Sequence, residues 1–299
     1  MWIDRKPSQY TALALLASLL LQGPAFAADN ATPAQPKPSA SPHERSSVNR
    51  EAAAALLRER QTLVREAMVA NEDMLMAIVS LEHQDKDAAY KALSDASGKL
   101  DVVLARDPHM KLVPISARLT TEDLESGPKA VKESLSQAKK QLSDGHVQVA
   151  KSLLRPLTSE IRTSIEYLPM DSYPAAIKQA SQDIQAGHLN EAAALLADTL
   201  RAIVTKETIY PLPPLKAEAD VQEAEALIKA DPKKNQAQAT DLLNQAGQQL
   251  EVGKLLGYGD YKDITKEIAS VQQKLHGGSA DTGLFARLKS LLHEARTKL

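Results

Sequence analysis

Two stretches of the sequence align without a gap and decide the fold: QAKKQLSDGHVQVAKSLLRPLTSEI at residues 137–161 and QASQDIQAGHLNEAAALLADTLRAI at residues 179–203. A Gly-His pair stands at the same place in both, and apolar residues recur at intervals of three and four on either side of it. Such spacing predicts amphipathic helices, and a glycine between them predicts a tight turn. Each stretch is therefore interpreted as an αα-hairpin.

Weaker copies of this hairpin pattern occur twice more. Each pairs a small alanine, which lets two helices approach, with leucines that fill the space between them. The pattern resembles tetratricopeptide repeats only loosely, because its spacing drifts and the aromatic positions of that repeat are missing. Any antiparallel bundle can produce such echoes, so a repeat and simple helix packing both remain open. The copies lie at Ala89, Leu93 and Leu100, and at Ala239, Leu242-Leu243 and Leu250.

Helical periodicity continues along most of the sequence after Val48, so we predict an all-α fold of antiparallel helical hairpins packed as a bundle. The best strand candidates, Lys111–Ile115 and Ile165–Leu168, could pair as one short two-stranded β-ribbon. The predicted helices cover residues 48–82, 86–105, 129–144, 146–162, 174–186, 189–207, 217–230, 233–256, 261–276 and 282–297.

Residues that typically begin and end helices stand at the predicted boundaries. Asp231 is a good N-cap, and prolines that a first turn tolerates occur at Pro128, Pro174 and Pro232. Glycine supplies the left-handed residue that closes many helices. We expect that role for Gly145, Gly187 and Gly277.

The N-terminal residues 1–27 have the pattern of a secretory signal peptide. Basic residues precede an apolar run at Thr11–Leu21, and Ala25-Phe26-Ala27 forms an A-x-A cleavage site. The run is about half of the ~20 residues that a membrane-spanning helix needs, which argues against the alternative of a permanent anchor. We therefore expect cleavage near Ala27, a periplasmic location and a mature protein that does not span the membrane.

Residues 28–47 contain four prolines with alanine, serine and threonine, so we predict a disordered tether. The remaining residues, 48–299, are assigned to a single helical domain. The chain of 299 residues has no cysteine and a net charge of −2. Disulfides, thiolate catalysis and cysteine-ligated metals are therefore excluded, and the weak charge argues against a nucleic-acid partner.

No catalytic or metal-binding motif is complete. The seven histidines form no H-E-x-x-H pattern. Two S-x-x-K tetrads lack the other motifs of serine acyl transferases. We therefore predict no enzyme activity, no metal and no cofactor. The acidic run Glu122–Glu125 is interpreted as a solvated helix start. His146 and His188 lie at predicted hairpin turns, where they are either solvated or sensors of pH.

Three segments rich in tyrosine and proline join the hairpins and hold five of the six tyrosines after Ala27. Tyrosine combines a flat apolar face with a hydrogen-bonding tip, and proline reduces the entropy lost on binding. The segments are therefore either binding sites or stiff corners of the bundle. The candidate ligand- or partner-binding residues are Tyr167, Tyr173, Tyr210, Pro211, Pro213, Tyr258 and Tyr261.

These segments resemble the YfdX family of bacterial proteins. The resemblance rests on YLPMDSYPAAIKQA at 167–180, IYPLPPLKAEADVQEAEALI at 209–228 and LLGYGD at 255–260, and extends from about Arg50 to Leu275. It implies a periplasmic, mainly helical, self-associating protein that is linked to acid and multidrug stress. It carries over no catalytic residue, since no activity is established for the family.

Two functions remain open. The first is a stress protein that binds a protein client or a small amphipathic compound, with Met68, Met74 and Met76 as an adaptable apolar face. The second is a structural or regulatory module that partners an envelope component. In both cases we expect a homo-oligomer.

Overall fold

The computed structural model describes residues 41–278 and 283–297, and in these residues the chain forms eleven helices and three strands. The predicted mainly helical class is confirmed, with a sheet larger than the predicted ribbon. The strands are β1 Leu112–Glu122, β2 Glu160–Pro169 and β3 Val204–Pro211. The helices are α1 Pro42–Arg60, α2 Arg65–Glu82, α3 Lys86–Arg106, α4 Pro128–Ser143, α5 Val147–Leu154, α6 Tyr173–Ala186, α7 Leu189–Arg201, α8 Leu212–Ala230, α9 Pro232–Leu255, α10 Lys262–His276 and α11 Leu284–Thr297.

Three consecutive units of the chain share one order of elements, two helices followed by a strand. They are α2-α3-β1, α4-α5-β2 and α6-α7-β3. In each hairpin turn one residue has a positive φ: Gln84 at 59°, Gly145 at 78° and Gly187 at 85°. The next residue donates its backbone N–H over 2.8–2.9 Å to a carbonyl five residues earlier in each unit. The echo at residues 89–100 is therefore the first copy of a real repeat.

The fourth echo, in α9, does not belong to this repeat. Its hairpin joins α8 to α9 through Asp231 alone, which is extended and accepts a hydrogen bond from the N–H of Lys234 at 3.1 Å. This confirms Asp231 as an N-cap. No strand of the described residues follows α9, so the alanine and leucines there reflect the packing of one antiparallel helix pair.

The sheet is antiparallel, with β2 in the centre. Val113 of β1 faces Leu168 of β2, so the predicted pairing is confirmed, but both strands are longer than predicted. The predicted helices 146–162 and 189–207 are wrong at their C-terminal ends, because residues 160–162 and 204–207 belong to strands. Each of these segments gains its backbone hydrogen bonds from strands distant in sequence, which local periodicity does not reveal.

The predicted helix 48–82 is two helices. Between α1 and α2 the chain leaves the helical path, and the N–H of Val64 donates to the carbonyl of Pro114 at 3.0 Å. Helix α1 also starts early, so residues 42–47, assigned above to the tether, are helical. A capping box between Ser41 and Glu44 and a proline at the first position favour this start. The signal peptide and the tether residues 28–40 lie outside the described residues.

One predicted helix end is shifted by a residue. Gly277 has a φ of −73°, and the left-handed residue after α10 is Gly278 at 82°. Gly145 and Gly187 are left-handed as predicted.

The core of the described residues consists of two large apolar clusters and a small one. The first joins α2, α3, α6 and α7 with β1 and the end of β2, and it includes the fully buried Met74 and Tyr173. The second joins α8, α9, α10 and α11 around Leu243 and Phe285. The small cluster packs α1 and α8 against the sheet at Ile161. Helix α8 thus belongs to two clusters and connects the sheet with the C-terminal helices.

Candidate functional site: an apolar pocket at the tyrosine and proline junctions

The structure brings five of the seven candidate residues together at the start of α8 and the end of α9. Pro211 ends β3 and directly precedes α8, and Pro213 is buried in the first turn of α8. Tyr210 is half-buried against the small cluster. Tyr258 and Tyr261 lie in the connection between α9 and α10. Segments that are distant in sequence therefore come together at this junction.

Tyr258 holds the α9–α10 connection against the beginning of β2. Its hydroxyl donates to Oε2 of Glu160 at 2.7 Å and accepts from the N–H of Ser159 at 3.1 Å. Burial, together with the hydrogen bond to the Glu160 carboxylate, raises the pKa of Tyr258 above its usual range. Since Glu160 is also buried and pairs with Arg162 at 2.6 Å, Tyr258 completes a satisfied polar cluster. This contact gives Tyr258 a structural role.

Tyr261 packs on α9 at Gly253, one of the two glycines of that helix. A Cβ atom on Gly253 would lie 2.9 Å from Cε2 of Tyr261 and 3.0 Å from Cβ of Pro213. The glycine therefore lets α8 and the start of α10 approach α9 together. The Tyr261 hydroxyl is buried without a hydrogen-bond partner in the described residues, and burial raises its pKa to about 12.

Tyr261 also forms a wall of a pocket of about 670 Å³ between α9 and α10. Gly247, Leu250, Leu255 and Ala269 complete the apolar part of its lining. Pockets of this size and character typically bury most of a small ligand. The polar lining residues are Lys132, Glu251, Lys254, Lys262, Thr265 and Lys266.

A second cavity of about 600 Å³ is polar. It lies beside α1, α8 and α9, and its lining includes Glu44 and Lys216, which are 3% and 1% exposed. Lys216 forms an ion pair with Asp123. Glu44 accepts a hydrogen bond from the amide of Gln249 at 3.0 Å. Lys216 and Glu44 are therefore held by other side chains of the protein.

Asp220 is a buried carboxyl group near this second cavity. It is 0% exposed, and neither of its carboxyl oxygens has a hydrogen-bond partner in the described residues. Burial and, to a smaller extent, the charges of Glu44 and Glu223 together raise its pKa to about 8, against the opposing charge of Lys216. Asp220 is therefore largely protonated at neutral pH.

The other two candidate tyrosines lie elsewhere. Tyr173 is fully buried in the first core cluster, and burial raises its pKa to about 12. Tyr167 lies on β2, half-buried, with Nζ of Lys206 4.9 Å from the centre of its ring. Neither contributes to the apolar pocket. A cation over an aromatic ring stabilises a sheet surface as readily as it binds a ligand.

The two candidate histidines are exposed at hairpin turns of the second and third units. His146 precedes α5, and its Nδ1 lies 3.0 Å from the side-chain oxygen of Gln141. His188 precedes α7 in the equivalent position. Their proposed role as sensors of pH stays a prediction.

Residues 41–278 and 283–297 contain no group of three or more His, Asp or Glu side chains that could hold a metal ion. Over the same residues, no helix is both long and apolar enough to cross a bilayer.

Sequence patterns missed several residues of these cavities. The run Glu122–Glu125 is not a helix start, because it ends β1 and continues as coil, where Asp123 meets Lys216. Lys216 and Asp220, four residues apart on α8, were detectable as charges on one helix face. Their burial was not, since it depends on α1 and α9. Of the three methionines considered above, Met74 is core and Met76 is 60% exposed.

The fold defines a protein of repeated αα-hairpins that share a small antiparallel sheet, followed by four helices, of which α9 and α10 form most of the apolar pocket. Residues 70–209 match the model of the family described as YfdX protein. A solved structure of YfdX from Salmonella Typhi also matches, with 15% identity and a TM-score of 0.37, over 50% of this chain and 93% of that one. A search of curated proteins gave no match.

The match over residues 70–209 confirms the resemblance to the YfdX family for that part of the chain. This family is not known as an enzyme family. The matched region begins within α2 and ends within β3, so it contains almost all of the three repeated units. The pocket helices α9 and α10 lie beyond its C-terminal end.

Proposed function

We propose that this protein is a non-enzymatic, periplasmic stress-response protein of the YfdX type that acts by binding a small amphipathic compound. The pocket between α9 and α10 carries this proposal, because its apolar floor and polar rim match a molecule with an apolar body and a polar end. The signal-peptide pattern in residues 1–27 supports the compartment. The family supports the stress role.

The chemistry of the pocket supports binding over catalysis. Thr265 is the only hydroxyl-bearing side chain of its lining besides Tyr261, and it donates to the carbonyl of Tyr261 at 2.9 Å. No histidine is among the described lining residues, so the lining offers no hydroxyl–histidine pair for nucleophilic catalysis. The lysines and Glu251 provide charge for recognition.

Filling the pocket tests this function. Gly247 of α9 lines the pocket, and a Cβ atom on it would have no other atom within 4 Å. The variant Gly247→Leu therefore places a side chain in the pocket without a steric clash at the Cβ atom. We expect this variant to bind the neutral dye N-phenyl-1-naphthylamine at least about tenfold more weakly than the unchanged protein, as measured by fluorescence titration.

Gly98→Leu is the matched control. Gly98 lies within α3, is exposed, and also has open space around its Cβ direction. Equal dye affinity of the two variants, with unchanged circular dichroism, would show that the dye does not enter this pocket and would refute the proposal.

The alternative, a module that partners an envelope component, is favoured by a different surface. The α4–α5 hairpin exposes several apolar side chains. Neighbouring exposed apolar residues are typical of protein–protein interaction surfaces. Crosslinking in intact cells tests this alternative. A partner module should give one crosslinked complex of fixed stoichiometry, whereas a protein that binds only small compounds should give no such complex. The exposed residues are Leu142, Val147, Val149 and Leu154.

A further inference from the structure

The rim of the apolar pocket carries more positive than negative side chains. Four lysines and one glutamate give the lining a net charge of +3, although the whole chain has a net charge of −2. Charges gathered at the mouth of an apolar cavity act in a medium of lower permittivity than water, so their field is stronger there. The lysines are Lys132, Lys254, Lys262 and Lys266.

These lysines are not all neutralised by partners. Lys132 of α4 pairs with Glu251 of α9, and Lys262 pairs with Asp260 at 2.8 Å. Lys266 lies 3.8 Å from Asp263, and both side chains are about four-fifths exposed, so this pair is weak. Lys254 forms no ion pair with a carboxylate of the described residues. Positive charge at the mouth is therefore free to act on a ligand.

The charge of Lys254 affects the ionisation of a neighbouring carboxyl group at the mouth. The pKa of Asp260 is held below its usual range, first by its hydrogen bond to Lys262 and further by the charges of Lys262 and Lys254. The charge of Lys254 therefore favours an anion near the mouth. Leu250 and Tyr261, which are 1% and 5% exposed, contribute to the apolar wall of the pocket.

We propose that this pocket binds an anionic amphiphile, a compound with a carboxylate, sulfate or phosphate group on a short apolar body. The apolar body packs against Leu250, Leu255 and Tyr261, and the anionic group meets the lysines at the mouth. The aliphatic stems of the lysines continue the apolar wall towards solvent. This inference rests on the proposed function and adds the sign of the ligand's charge.

A matched ligand series tests the sign. Octanoate, octanol and octylammonium share one apolar chain and differ mainly in head-group charge, and each can be titrated calorimetrically into the mature protein at low salt. We expect octanoate to bind about tenfold more tightly than octanol, and octylammonium to bind most weakly. Added sodium chloride should weaken octanoate binding and leave octanol binding unchanged.

The outcomes separate this inference from the proposed function. If the three compounds bind with equal affinity, the pocket is an amphiphile site without charge preference, and only the inference fails. If none of them binds, both the inference and the proposed function at this pocket are wrong.

Lysine substitutions test the rim itself. The double variant Lys254→Gln, Lys266→Gln should lose about fivefold or more in octanoate affinity and keep its octanol affinity. The double variant Lys151→Gln, Lys178→Gln removes the same charge from exposed positions on α5 and α6 and is the control. Equal losses in the two double variants would show a general charge effect and overturn the role of the rim.

Discussion

Asp220 shows most directly how one residue departs from what its sequence position indicates. On α8 it lies one turn after Lys216, a spacing that usually gives an exposed ion pair on a helix surface. Instead, Lys216 pairs with Asp123, and Asp220 is buried without a hydrogen-bond partner in the described residues. Burial of an unpaired carboxylate is costly, so the group holds its proton.

This burial predicts a pH-dependent cost in stability. The folded pKa of about 8 lies above the value of about 3.9 for an unfolded aspartate, so between these values the unfolded chain binds fewer protons than the folded protein. The contribution of Asp220 to the free energy of unfolding therefore falls as pH rises from about 4 to about 8. Asp220→Asn should increase the free energy of unfolding by roughly 2–4 kcal/mol at pH 8 and hardly change it at pH 4.

Urea denaturation of both proteins at several pH values measures this effect. Asp241→Asn, an exposed change on α9, should leave the pH dependence as it is. A difference between Asp220→Asn and the unchanged protein that stays constant across this range would show that Asp220 does not titrate as described.

At the scale of elements, α9 contains two glycines that differ only in what surrounds them. Alanine in place of glycine within a helix normally stabilises it by about 0.5–1 kcal/mol. Gly247 has open space, whereas a Cβ on Gly253 would collide with the rings of Tyr261 and Pro213. We expect Gly247→Ala to raise the melting temperature and Gly253→Ala to destabilise the protein by about 1–3 kcal/mol.

Thermal denaturation followed by circular dichroism distinguishes the two variants, each serving as the control for the other. A gain in stability from both would mean that α8 and α10 do not approach α9 as closely as the structure shows. The opposite signs arise from one contact between elements, because the two sites share the same helix and the same substitution.

The element scale also shows where sequence patterns succeed. The hairpins around Gly145 and Gly187 are confirmed, because turns and caps depend on residues within a few positions of each other. Strand β3 was not predicted, because the helical pattern of α7 extends into its first residues. The segment Val204–Pro211 becomes a strand only through its pairing with β2.

At the scale of the whole molecule, burial is shared unequally among the three repeated units. In the second unit α5 buries only Ala150, whereas the equivalent α7 of the third unit buries four residues. Local stability follows the apolar contacts of each element. Amide hydrogens of α5 should therefore exchange with solvent at least about tenfold faster than those of α7.

Hydrogen exchange followed by mass spectrometry measures this difference on the unchanged protein, and the repeat supplies its own comparison. Equal protection of α5 and α7 would indicate that another surface covers the second unit in solution, as self-association through the α4–α5 hairpin would do.

The sequence by itself determined the helical class, the hairpins, most helix ends and the family of residues 70–209, because these depend on short-range periodicity and local motifs. It also indicated the tyrosine and proline junctions. Only the tertiary structure decided that Tyr261 walls a pocket while Tyr173 is core, and that Asp220 is buried. The physical reason is distance along the chain. The rim of the pocket joins Lys132 to Glu251, 119 residues apart, and no local pattern records which residues folding will bring together.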